Sequence, residues 1–147
     1  MWLRSNITIT LVALALIVGG AAMAWWLVGD LTESGVRDPN YMFTSPEWAA
    51  QHPLLIATLG GVVLVVGLVV FNLVIARELS ASARTRAIVL EVSLVADGLV
   101  IGFVLRLLTA GAEGASFTGL TLFLGVPPVI IASALLLGAT RRLARTA

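Results

Sequence analysis

Apolar residues fall into four long blocks, at 7–28, 54–76, 87–108 and 118–140, with short polar stretches between them. A helix rises 1.5 Å per residue, so roughly 20 apolar residues cross a hydrocarbon core of about 30 Å. Each block has that length. The pattern predicts an all-α protein, an integral membrane four-helix bundle formed as a single domain over 1–147. Short connectors predict antiparallel, up-down spans.

The third block, AIVLEVSLVADGLVIGFVLRLL, differs from the others: it carries Glu91, Asp97 and Arg106, while the other three hold no charge in their interiors. Insertion still wins. A central aspartate costs about 3 kcal/mol, and each Leu, Ile, Val or Phe returns about 0.3 to 0.6. Fourteen such residues lie between Ala87 and Leu108.

The first block has features of a cleaved leader: Arg4, an apolar centre and Ala22-Met23-Ala24. It runs on through Trp25, Trp26, Leu27 and Val28 to spanning length, which favours a retained helix with an aromatic belt at its end. Residues 29–53 form the one long polar segment. Asp38-Pro39-Asn40 signals a turn, and Ser45-Pro46-Glu47 signals a helix start that His52-Pro53 stops. The expectation is a short interfacial helix in the first extracytoplasmic loop, with Trp48 dipping toward the headgroups. Residues 77–86 are expected to form a loop.

Arginine placement gives an orientation. Arg4, the trio Arg77, Arg84 and Arg86, and the trio Arg141, Arg142 and Arg145 alternate with segments holding Arg37 alone and no base at all. By the positive-inside rule, both termini lie in the cytoplasm and the protein is a multi-pass component of the plasma membrane.

Composition narrows the chemistry. The chain is 59% hydrophobic and 12% charged, about half the charged fraction of a soluble domain. It has no cysteine and no lysine, which removes thiol chemistry and Schiff bases. The single histidine, His52, cannot build a multi-histidine metal site. No cofactor or metal is expected, and the net charge of +1 offers nothing to nucleic acid.

The third span presents two faces. With Glu91 at zero on a wheel of 100° per residue, Gly98, Gly102 and Arg106 fall within about 60°. Gly98 and Gly102 make a GxxxG, a close-packing signal. Asp97 falls near −120°, with Ser93 a turn earlier, as a polar notch. Folding the second and third spans into a hairpin pairs residues whose numbers sum to 163. Gly61 then meets Gly102, Val65 meets Gly98, and Asn72 meets Glu91. Near mid-span, folding the third and fourth spans about Glu113 brings Asp97 level with Val129, next to Pro127-Pro128, where prolines kink the helix and free two carbonyls.

Asp97, Ser93, Glu91 and Asn72 are therefore the intramembrane polar candidates. Gly61, Gly98 and Gly102 are the packing residues, and Pro127 and Pro128 the kink. Two functions fit. One is a helical subunit or accessory factor of a larger membrane assembly, whose partners are the lipid bilayer and other membrane chains or further copies of itself. The other is a homo-oligomeric proton- or cation-linked carrier or channel that uses Asp97. An enzyme fits least, because no catalytic constellation is present.

Overall fold

A computed structural model describes residues 6–29, 47–75, 80–109 and 124–146. The described chain is helical throughout: α1 (Asn6–Val28), α2 (Glu47–Gln51), α3 (Pro53–Val70), α4 (Ala81–Leu108) and α5 (Val126–Thr146). A π-helical turn, Phe71–Ile75, continues α3. Three helical stretches are long and apolar enough to cross a membrane: Ile7–Val28, Pro53–Leu73 and Ala83–Leu108. Val126–Thr140 is a shorter apolar helix.

α2 ends where the sequence stops it. His52 breaks the helix and Pro53 opens α3 at a position where the missing N–H costs nothing. Two boundaries differ from expectation. The segment 81–86, expected as loop, is helical. Ser80 sits in extended backbone ahead of it, and the Arg84 N–H donates to the Ser80 carbonyl at 2.8 Å. Alanine and arginine are good helix formers, and nothing in 81–86 breaks a helix. α4 thus has 28 residues, roughly 42 Å at 1.5 Å per residue. The fourth block also shifts. Residues 118–123 lie outside the described residues, and α5 runs from Val126 into the arginine-rich tail as far as Thr146.

The centre of the bundle is α1, which packs most extensively against α4 and α3, while α5 rests more lightly on α4 and α1. Ala13 and Leu16 of α1, Leu94 of α4 and Phe71 at the end of α3 meet in the buried core. α1 and α4 run parallel, with a constant offset of 81 residues. Ile17 lies against Gly98, Ala21 against Gly102, and the Trp25 ring under Arg106. α1 and α3 run antiparallel, with facing numbers that sum to 82 or 83. Gly19 lies against Leu64, Leu16 against Gly67, and Ala22 against Gly60.

This arrangement overturns the expected glycine interface between α3 and α4. Gly98 and Gly102 are packing residues, but they face α1, which stands between the two helices. Gly61 is not the buried glycine of α3; Gly60 and Gly67 are. A Cβ at Gly61 would meet only the Met23 sulfur, at 3.5 Å. Helices adjacent in sequence can still be wedged apart along most of their length by a third helix.

The glycines of α4 make a test possible with one chemical change. A Cβ at Gly98 would collide with the Ile17 carbonyl, and one at Gly102 with the Ala21 carbonyl, whereas nothing lies within 4 Å of one at Gly138. Gly98→Ala and Gly102→Ala should each destabilise the folded protein by about 1–3 kcal/mol through overpacking. Gly138→Ala should be neutral or stabilise by up to about 1 kcal/mol, because alanine is the better helix former. Unfolding midpoints in mild detergent read the difference.

Candidate functional site

Two buried carboxyls stand out on α4. Glu91 is 6% exposed and Asp97 7%. A charged or polar group at such a position is costly unless paired, and intramembrane ionisable residues are the first candidates for function. The structure gives each a partner on a different helix.

Glu91 belongs to the end of α3. Asn72 Nδ2 donates to Glu91 Oε1 at 2.7 Å and to the Leu68 carbonyl at 3.0 Å. An amide nitrogen carries two hydrogens, so both bonds are made at once. The Asn72–Glu91 pairing is the one member of the 163 register found in the structure. Asn72 lies in the π-helical turn, whose wider winding sets the direction of its side chain apart from the α-helical phase of the preceding residues.

Asp97 belongs to α5. Ser133 Oγ lies 2.6 Å from Asp97 Oδ2 and 2.9 Å from the Val129 carbonyl. Ser93 does not join them: its hydroxyl donates to the Val89 carbonyl of its own helix at 2.8 Å. The expected notch of Ser93 and Asp97 is thus replaced by a bridge from Asp97 to Ser133. A signal for it lay in the sequence. Ser133 is the sole hydroxyl residue between Pro128 and Gly138, one helical turn from the Val129 expected level with Asp97.

Pro127 and Pro128 stand in the first turn of α5, where no intrahelical N–H is needed. Leu124 is helical and Gly125 a turn, so regular helix is interrupted just ahead of the prolines. Beside the Asp97–Ser133 bridge, α4 and α5 flank an open cleft of about 500 Å³. Ile101, Val104, Leu108, Val129 and Ile130 line it, with Ser133 as its one hydroxyl.

Arg106 closes the far end of α1. Its Nε donates to the Gly29 carbonyl, and its guanidinium sits 4.6 Å from the centre of the Trp25 ring. Gly29 has φ +68°, the left-handed conformation that ends helices and favours glycine. The cation also complements the negative end of the α1 dipole. From the sequence, Arg106 is expected to snorkel to the outer rim and pair there with Glu113 or Asp30; both acids lie outside the described residues. Among the described residues no three of His, Asp and Glu converge as a metal site would require.

Set against protein-family profiles, curated proteins and solved structures, the chain matches none.

The amide–carboxyl pair yields a cycle. Asn72→Val removes the amide donor from a buried carboxyl and should cost about 1–2 kcal/mol, the upper range for polar contacts between membrane helices. Adding Glu91→Leu should restore much of that loss, because removing both partners is cheaper than orphaning one. Chemical unfolding of the two variants and of Glu91→Leu alone completes the measurement.

Proposed function

We propose that the protein is a four-span membrane protein acting as a helical subunit or accessory factor of a larger membrane assembly, docking through the outer face of α3. In this reading the spans run up-down, both termini face the cytoplasm, α2 lies at the outer surface, and the host membrane is the plasma membrane. The observation that carries the proposal is the division of labour among the helices. Both buried carboxyls are spent on partners inside the chain, whereas α3 turns Leu55, Leu59, Val62, Val66 and Val69 outward. Helix association in lipid depends on close van der Waals packing, and a continuous aliphatic face of leucine and valine offers it.

The carrier reading has one observation in its favour, the buried Asp97 at mid-span beside a cleft. The cleft weighs against it, because a wall so apolar offers water or an ion few polar partners. Transporters also break their helices around a polar midplane site, and α4 is unbroken.

Gentle native purification tests the subunit reading. The protein should elute with a stoichiometric second chain. Val62→Trp with Val66→Trp should release that chain while leaving the unfolding midpoint of the isolated protein unchanged. A protein that elutes only with further copies of itself, and whose vesicles leak protons but cease to with Asp97→Asn, would establish the carrier instead. Impermeant labelling of intact cells should miss tags at Met1 and Ala147 and reach one placed in the segment 30–46.

A further inference from the structure

Arginines collect at one end of the bundle. α4 starts there and α5 finishes there, because the two helices run antiparallel: Asp97 meets Ser133, and Leu108 and Val126 line the same cleft. Counted from the Asp97–Ser133 contact, Arg86 lies eleven residues along α4 and Arg142 nine along α5, about 17 and 14 Å of helix. Arg84 is two residues further out on α4. All three are exposed. Among the described residues at this end the single acid is Glu91, which Asn72 holds at 2.7 Å. In sequence the adjoining segments 1–5 and 76–79 hold Arg4, Arg77 and Glu78.

The length of α4 sets the depth of this end in a bilayer. Arg86 and Arg106 are 20 residues apart on one unbroken helix. That is about 30 Å along the axis, the thickness of a hydrocarbon core. With Arg106 at one headgroup layer, Arg86 stands in the other. The exposed surface of α4 turns aliphatic at once, with Ile88, Val89 and Val92. α5 makes the same change between the exposed Leu135 and the exposed Arg142. Guanidinium groups at that depth lie among phosphates rather than in bulk water.

We infer that this end of the bundle is a docking surface for anionic phospholipid headgroups, held by Arg84, Arg86 and Arg142. A guanidinium offers paired N–H groups that fit phosphate oxygens. Arg86 and Arg142 also have contacts within the chain; five N–H donors leave each with hydrogens for a phosphate. A zwitterionic headgroup brings its own cation, which the three arginines repel. An anionic headgroup does not, and each arginine near such a surface raises association about fivefold. Depth decides between lipid and an acidic protein, because a soluble acidic surface would have to enter the headgroup layer to reach Arg86.

The full chain in bilayers of equal phosphatidylcholine and phosphatidylglycerol, with a trace of either lipid spin-labelled, tests this. Label immobilised at the protein should favour phosphatidylglycerol. Combining Arg84→Gln, Arg86→Gln and Arg142→Gln should lower that preference at least about fivefold, toward parity. Glutamine suits an exposed helical position, so the fold is kept. Arg86→Gln alone should lower the preference in part, while Arg37→Gln, which removes one charge from the segment between α1 and α2, should leave it unchanged. Inorganic phosphate should weaken it no more than chloride at the same ionic strength, since screening acts alike for both. Equal association of the two lipids with wild type would overturn the inference. So would a preference that survives the triple variant, an equal loss in Arg37→Gln and Arg86→Gln, or selective displacement by inorganic phosphate, the mark of a soluble-anion site. An acidic chain that co-purifies with wild type, is released by the triple variant and is not displaced by phosphatidylglycerol would overturn it in favour of a protein partner.

Discussion

The bundle depends on two backbone contacts that one pair of residues makes possible. Gly19 and Gly20 are consecutive in α1 and so point about 100° apart. Gly19 opens one side of the helix to Leu64 and Gly60 of α3, and Gly20 opens another to Val95 and Gly98 of α4. Lipid tails are as apolar as leucine, so burial alone does little to hold membrane helices together; close approach and polar contacts do it. A helix bare on two sides accepts two neighbours at backbone distance, which is how α1 comes to lie between α3 and α4.

The polar contacts divide in the same way. The α1–α4 pair is pinned at its end by Arg106 on Gly29 and Trp25. Glu91 reaches past α1 to the end of α3, and Asp97 ties in α5. The two carboxyls occupy similar settings but differ in their donors: an amide with one hydrogen for each of its two acceptors, and a hydroxyl with one hydrogen within reach of two. α3, for its part, has a side packed on α1 and an exposed aliphatic side.

The helices were legible because length and apolarity are properties of a single segment. The faces of α4 were legible too: Glu91, Gly98 and Gly102 share a stripe that turns inward, and Asp97 turns toward α5. Periodicity gives the phase of a helix but says nothing about its neighbour. The GxxxG of α4 therefore suggested α3, the nearest helix in sequence, when its partner is α1. The clue was the run Gly19-Gly20-Ala21-Ala22, which also lies next to an apparent leader-cleavage site. Gly60 and Gly61 are adjacent and chemically identical, and only the position of α1 decides which one is buried. The early start of α4 was hidden by three arginines at 77, 84 and 86 that read as loop, although arginine suits a helix end that emerges from an apolar layer.

The offset of 81 residues between α1 and α4 has a consequence in time. A ribosome adding about 5–20 residues per second needs about 4–16 s to make that stretch. Throughout that interval the Gly20 side of α1 is complete but has no partner. α3 is made first and covers the Gly19 side, so a two-helix hairpin forms before the core can close. The face that later receives Gly98 and Gly102 must meanwhile stay against lipid or against whatever escorts the growing chain. Newborn protein is thus most open to mispairing along Ile17, Gly20 and Ala21, a surface that in the finished fold is sealed.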